Sequence, residues 1–299
     1  IYVYSSDTNG TITNHTALTS SADGENYGFY GAGTITNDAN INFETGIGNV
    51  GVYSIKGGTA TNTGTITVGG SDVANSKYAL AMAAGYETSD SGNIVNNGIL
   101  NVNGKSGIGM YATGANSTAR NNGTINLNAA GAMGMYLDNG AKGFNSGTIT
   151  STGSAKGAVG IVVRNGATFT NEASGNIHIE DGYALFKATG GIIKNYGNIT
   201  LGKNATQEFA PGSKPTGKEF GDVKISAPAG ATKATITKGG KPVTPFTISN
   251  PIGQRKPMNT SIGLYVDTLR GTNPPQGTLP TGAADLIIGS EASQITNNK

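Results

Sequence analysis

Asn121-Asn122-Gly123-Thr124-Ile125, followed by Gly134-Met135-Tyr136, is the pair of phrases whose reading decides the fold. The first phrase returns as Asn62-Thr63-Gly64-Thr65-Ile66, Asn145-Ser146-Gly147-Thr148-Ile149 and Asn195-Tyr196-Gly197-Asn198-Ile199. The second returns as Gly51-Val52-Tyr53, Gly109-Met110-Tyr111 and Gly263-Leu264-Tyr265. A self-similar period of some tens of residues marks a stacked array, because one such unit cannot bury its own apolar face.

Working outward from the first phrase, apolar anchors stand at Ile12, Ile41, Ile66, Leu100, Ile125, Ile149, Ile177 and Ile199. A second apolar residue follows two places on, as at Phe43, Val68, Val102, Leu127, Ile179 and Leu201. Alternation at period two reads as a short strand with one face in and one out. The second phrase has anchors Phe29, Val52, Leu80, Met110, Met135, Ile161, Leu185 and Leu264. Two places earlier stand Tyr27, Val50, Tyr78, Ile108, Met133, Val159, Tyr183 and Ile262, with Gly or Ala always between. A third strand precedes each Asn, carrying Ile35, Ile94, Ala119, Phe169 and Ile193 two places before Asn37, Asn96, Asn121, Asn171 and Asn195. One repeat is therefore three short strands and three turns, too short between its Gly and Asn punctuation for helices. Stacked in parallel, with coils about 4.8 Å apart, such units give an all-β parallel β-helix. The recurring Asn should stack too, since it tolerates left-handed φ and its amide can bond along the ladder.

The composition agrees with an ordered solenoid. The chain has 299 residues, 48 of them Gly, with 13% charged residues and a formal net charge of +2. Sparse large aliphatics would suit a disordered chain, but disorder has no need of apolar residues in fixed register. With no Cys there is no disulfide, thiolate metal site or cysteine nucleophile. No run of about 18 apolar residues and no charged-then-apolar leader occurs. The chain opens in mid-phrase at Ile1-Tyr2-Val3-Tyr4 and stops at Lys299 without a cap, which reads as a segment of something longer.

Three stretches are expected: β-helix coils over 1–202, a Pro/Lys-rich excursion over 203–260, and a return to the β-helix over 261–299. The excursion holds nine basic and three acidic residues, against nine and twelve in 1–202, and gathers Pro211, Pro215, Pro228, Pro242, Pro245, Pro251 and Pro257. Ala234–Lys238 and Val243–Ile248 could form a hairpin across Gly239-Gly240. Ala284-Asp285-Leu286-Ile287-Ile288-Gly289 reads as one more core strand.

These phrases resemble the passenger regions of type V autotransporters. The end of the chain, Gly263-Leu264-Tyr265-Val266-Asp267-Thr268 with Ala284–Gly289, is similar to a segment of the large fusobacterial autotransporter adhesins. The resemblance spans nearly the whole chain apart from part of 203–260. It implies a right-handed parallel β-helix displayed outside the cell, held by a C-terminal outer-membrane barrel that this chain lacks. It implies adhesion to other bacteria or to host cells.

Other chemistries are weaker. Gly107-Ile108-Gly109-Met110-Tyr111-Ala112 mimics a dinucleotide fingerprint but is followed by a turn where a helix is required. Gly104-Lys105-Ser106 lacks the spacing of a phosphate loop. Some β-helices cleave polysaccharides, which needs converging acids, or an acid with Arg or Lys, on neighbouring coils. Here Asp72, Glu87, Asp90, Asp138, Glu172, Glu180 and Asp181 are scattered, and the adjacent Glu180 and Asp181 should point to opposite faces. His15 and His178 stand alone and read as surface residues. Broken Thr/Asn stripes at Thr11, Thr13, Thr65, Thr67, Thr148 and Thr150 read as a solvated face, and the basic excursion lacks the aromatics of a nucleic-acid reader. No catalytic residue, metal ligand or cofactor is expected.

The remaining feature is an aromatic stripe one place after the second-strand anchors: Tyr30, Tyr53, Tyr111, Tyr136, Phe186 and Tyr265. If the anchors point in, these point out, with the Gly/Ala strip beside them as a shallow floor. Alternatively the rings stack only on one another, or fill the core over small residues. Tyr53, Tyr111 and Tyr136 are the candidate ligand-binding residues. The expected role is a monomeric, non-enzymatic adhesin segment whose partner is a glycan or protein receptor on another bacterium or a host cell. The alternatives are a carbohydrate-cleaving enzyme and a structural spacer.

Overall fold

A computed structural model describes residues 3–24 and 26–209, together with the strands Val223–Pro228, Thr235–Lys238, Lys241–Val243, Ile262–Tyr265, Ala283–Ile288 and Gln294–Asn297. It is an all-β parallel β-solenoid. Each complete coil has three strands, as in Thr34–Asn37, Asn40–Phe43 and Val50–Ser54. No α-helix occurs among the described residues, and the one helical turn is the 3-10 segment Val73–Asn75.

The strands before each Asn form an 8-stranded parallel sheet, the asparagine ladder. The Gly-Thr-Ile strands and the tyrosine-bearing strands form two further ladders. These merge into one 17-stranded sheet because Asn176–Lys187 and Asn198–Phe209 each run without interruption through both. Leu100 pairs with Ile66 and Ile125, and Met110 with Met82 and Met135, so like stacks on like along the axis. The interior is a dry column in which Ile66, Ile94, Leu100, Ile125, Met82 and Met110 are wholly inaccessible. Bulk is shared between neighbouring coils: Phe169 fills the rung beside Gly143, where a side chain would strike Leu137.

The asparagines bond end to end. Asn37 Nδ2 donates to Asn62 Oδ1, Asn62 to Asn96, Asn96 to Asn121, Asn121 to Asn145, Asn145 to Asn171 and Asn171 to Asn195, at 2.8–2.9 Å. In Asn62, Asn96, Asn121 and Asn145 the same amide also donates to the carbonyl two residues on, at 3.0–3.2 Å, clasping the Asn-x-Gly turn. Left-handed φ plays no part in this, since none of the ladder asparagines is among the positive-φ residues. The Gly of each turn is required by crowding: a Cβ on Gly98, Gly123 or Gly147 would collide with the carbonyl oxygen of the coil before.

Several register expectations are corrected. Ile12 pairs with Ile35 in the asparagine ladder, so Thr11 and Thr13 lie there too, and Leu18 takes the Gly-Thr-Ile rung of the first coil. Leu80 pairs with Val50 and Ile108, so the anchor of that coil is Met82 and the middle small residue is Ala81. The extra length between Ile66 and Leu100 is split between a loop holding the 3-10 turn at Val73–Asn75 and the stretch 85–92, and the first of these shifts the reading by two.

Of the expected hairpin, Thr235–Lys238 pairs antiparallel with Lys241–Val243. Residues 234, 239, 240 and 244–248 lie outside the described residues. Ile262–Tyr265 and Gln294–Asn297 pair in parallel with Asn198–Phe209. Ala283–Ile288 is no ladder strand. It runs antiparallel to Val223–Pro228 in a separate 4-stranded sheet.

Two substitutions check this account. Ile125→Asp should lower stability by about 4 kcal/mol or more, because it buries an unpaired charge in the column. Asn121→Ala should cost about 2–4 kcal/mol, since it leaves Asn96 Nδ2 and Asn145 Oδ1 without their ladder partners, while the exposed Asn122→Ala stays within about 0.5 kcal/mol. Chemical denaturation of the three variants reads both outcomes.

Candidate functional site

The tyrosine-bearing strand does not alternate simply. A Cβ on Gly51 would lie 2.7 Å from Ile66 Cγ2, and one on Gly109 or Gly134 would lie 2.8 Å from the Cγ2 of Ile125 or Ile149. The Gly/Ala strip therefore faces the core, and Ala81 and Ala184 belong to the core cluster. It is not a floor beside the tyrosines. Two consecutive residues, such as Gly51 and Val52, both face inward, and the ladder register skips the first of them. This bend turns the residues on either side outward. Val50, Leu80, Ala83 and Ile108 form a second apolar cluster, outside the core, with Tyr27, Tyr53, Tyr111, Met133 and Tyr136 packed against it.

The outer face of this ladder thus carries two columns three residues apart. One holds Tyr27, Val50, Leu80, Ile108 and Met133. The other holds Tyr4, Tyr30, Tyr53, Ala83, Tyr111, Tyr136, Val162 and Phe186. The tyrosines point outward; Tyr4 is exposed, and Tyr27, Tyr30, Tyr53, Tyr111 and Tyr136 are half-buried. The side chain of Tyr265 lies outside the described residues.

The structure separates the candidate residues into two groups. Tyr53 belongs to a packed aromatic knot: Tyr30 meets it edge-on at 5.2 Å, Tyr27 lies stacked at 6.2 Å, and Tyr27 meets Tyr30 edge-on at 5.5 Å. Its hydroxyl donates to the Gly85 carbonyl at 2.8 Å. Burial, then the neighbouring phenols, pushes the Tyr53 pKa well above the ordinary tyrosine range. One coil on, the small Ala83 takes the tyrosine position and is completely covered. Beyond it Tyr111 and Tyr136 form a separate pair, with ring centroids 5.9 Å apart and planes tilted by 39°. Burial also raises the Tyr111 pKa. The Thr113 hydroxyl works against this and the Asp138 charge adds to it.

A polar rim borders this second pair, and sequence reasoning missed it. Asp138 lies two residues after Tyr136, hence on the same face, and Arg164 occupies the next rung two residues after Val162. Arg164 Nη1 donates to the Tyr136 hydroxyl at 3.1 Å, and its Nε lies 3.5 Å from Asp138 Oδ1. That same oxygen accepts from Asn165 Nδ2 at 2.7 Å and from the Asn139 backbone N–H at 2.8 Å. Asn139 Nδ2 donates to Thr113 Oγ1 at 3.0 Å. The bond to the Tyr136 hydroxyl raises the Arg164 pKa further, so this guanidinium is no proton acceptor. The available signal was the parity of Asp138 with Tyr136, but Arg164 joins only once the coils are in register.

The other acids are dispersed. Glu180 sits 2.6 Å from His178, and Asp181 accepts from the Gly157 backbone and pairs with Lys156. His15 pairs with Asp38 on the surface, and Arg120 lies over the Phe144 ring while reaching Glu172. Among the described residues no group of three His, Asp or Glu could hold a metal ion.

Residues 1–146 match the family model described as the BigA third pectate lyase-like domain. That stretch contains Tyr53, Tyr111, Tyr136 and Asp138, and stops short of Arg164. No curated protein and no solved structure matches the chain.

An acid whose pKa is raised by folding keeps its proton where the unfolded chain would release it. Stability from Tyr53 and Tyr111 is therefore intact below about pH 10, the ordinary tyrosine value, and falls as pH rises past it. Thermal midpoints taken from neutral to strongly alkaline pH should show that decline. Tyr53→Phe should make it shallower while lowering stability by about 1 kcal/mol at neutral pH, from the lost bond to Gly85.

Proposed function

We propose that this chain is a non-enzymatic segment of a bacterial surface adhesin, a stiff β-helical stalk whose tyrosine-bearing outer face meets a receptor on another cell. The observation that carries the reading is the outward double column of aromatic and apolar side chains. Monomeric proteins seldom leave such a surface half-open along their length unless a partner uses it. Eight asparagine-ladder strands at about 4.8 Å spacing make a rod of roughly 35 Å, long enough to project that face and stiff because every coil is hydrogen-bonded to the next. The match to a domain of BigA supports a place on the bacterial surface. In the resemblance drawn from the repeats, an outer-membrane barrel elsewhere in the parent protein would hold it there.

A second reading is favoured by the pectate lyase-like description of the matched family: a β-helix that cleaves an acidic polysaccharide. Against it, the acid–guanidinium cluster beside Tyr111 and Tyr136 is an ion pair with its Arg firmly protonated, and Glu180 and Asp181 are committed to His178 and Lys156. Incubation with polygalacturonate and neutral polymers, followed by assay for new chain ends, decides between the two. Turnover that disappears in Asp138→Asn or Glu180→Gln would establish the enzyme.

Cells displaying the parent protein without this segment should lose most of their attachment to at least one partner cell type, with surface expression unchanged by antibody staining. Undiminished attachment to every bacterial and host cell tested would reduce the segment to a spacer.

A further inference from the structure

Resting on the surface-binding reading, we infer that Tyr111 and Tyr136, with the rim of Thr113, Asp138, Asn139, Arg164 and Asn165, form a subsite for one neutral sugar ring. The two halves of the patch divide as the two faces of a pyranose do. A pyranose has an apolar C–H face, which an aromatic ring can underlie, and an edge of hydroxyls that both donate and accept. Tyr111 and Tyr136 supply two tilted rings on adjacent coils. Two residues further along the same strands Thr113 and Asp138 supply a hydroxyl and a carboxylate, and Asn139, Arg164 and Asn165, at the turns that follow, add a guanidinium and two carboxamides.

The rim is held in place before any ligand arrives. Asp138 Oδ1 accepts from the Asn139 N–H and the Asn165 amide and lies 3.5 Å from the Arg164 guanidinium as an ion pair, and Oδ2 carries none of these. Asp138 is 14% exposed, enough to be reached and too little to turn freely. The Tyr136 hydroxyl accepts from Arg164 and so keeps its own proton to donate. A preset array of this kind loses little conformational entropy on binding, which is what a small polar ligand requires.

The charge sets the class of sugar. Asp138 and Arg164 neutralise each other, so the subsite offers no net charge to hold an acidic sugar. The tyrosines around Tyr53 do not form such a site. Their rings are turned against one another, and the Tyr53 hydroxyl is spent on Gly85.

The test uses the full 299-residue chain with three probes: methyl β-galactopyranoside, methyl β-glucopyranoside and methyl β-glucuronide. NMR with labelled tyrosine rings follows each titration. At least one neutral glycoside should shift the Tyr111 and Tyr136 ring signals and leave Tyr27 and Tyr30 unmoved. Tyr136→Leu and Asp138→Asn should each weaken that binding by about tenfold or more, and Tyr136→Phe, which keeps the ring, by less. Wild-type thermal midpoints in Asp138→Asn and Tyr136→Phe keep the comparison valid even if Tyr136→Leu fails to fold. The subsite is overturned if neither neutral glycoside moves these rings, if the glucuronide binds more tightly than both, or if Asp138→Asn binds like the wild type. Those outcomes beside lost cell attachment on deletion of the segment would leave the adhesin reading in place with a protein partner. Sugar binding beside unchanged attachment would keep the subsite and remove the adhesin reading.

Discussion

The buried asparagine ladder is the interaction on which the rest depends. A carboxamide has two N–H donors and an oxygen acceptor, and in the middle coils all three are used: one donor to the next Asn, one to the carbonyl of its own turn, and the oxygen to the Asn before. The backbone carbonyls of Asn37, Asn62, Asn96 and Asn121 each also take two N–H groups from the next turn, as Asn96 O does from Asn122 and Gly123. A slip of one residue would leave several buried polar groups unpaired in a place without water, at about 1–3 kcal/mol each. The ladder contributes to stability, but its larger effect is to allow only one register between coils.

That single register builds the outer face. With the Gly-Thr-Ile strands held level, the branched methyl of Ile66, Ile125 or Ile149 leaves no room for a side chain on the facing strand, and Gly51, Gly109 and Gly134 stand there. The strand yields by turning two consecutive positions inward, and two positions three residues apart then point outward. Tyr27 with Tyr30 and Tyr183 with Phe186 are such pairs, each in edge contact. A steric constraint inside the core thus decides which positions face outward. The constraint does not require aromatics there, as Ala83 and Val162 show at the same position.

The parts of this arrangement that repeat were readable in the sequence, and the parts that depend on counting between repeats were not. The solenoid, its three strands and the stacking of Asn37, Asn62, Asn96 and Asn121 are visible because each is a property of one phrase. The inward turn of Gly51 is not, because period-two reasoning places Gly51 opposite Val52, and only the methyl of Ile66 reverses it. Leu80 was read as the anchor in place of Met82, because Ala79-Leu80-Ala81 fits the phrase as well as Ala81-Met82-Ala83 does, and the loop before them hides the two-residue offset. Ile12 was read in the wrong ladder because Gly-Thr-Ile-Thr-Asn serves as the strand before the Asn in the first two coils. Asp138 reads in the sequence as one of several scattered acids and Arg164 carries no signal of its own, since their contact exists only across two coils.

What the coil itself demands at that rung can be judged from its neighbours. The place one residue beyond the inward Ser54, Ala84, Ala112, Leu137 and Val163 is filled by Ile55, Gly85, Thr113, Asp138 and Arg164 in turn. An aliphatic side chain, no side chain and a hydroxyl all satisfy the fold there, so the turn has no need of charge. A partly exposed ion pair contributes about 0–1 kcal/mol, and replacing it with apolar residues would be close to neutral. The pair stands beside Tyr111 and Tyr136, whose rings, among the described residues, meet only each other, in the coils where Asn139 and Asn165 both turn through left-handed φ. Stability accounts for little of that coincidence. A site that must hold a polar ligand over an aromatic face accounts for the rings, the rim and their balanced charge together.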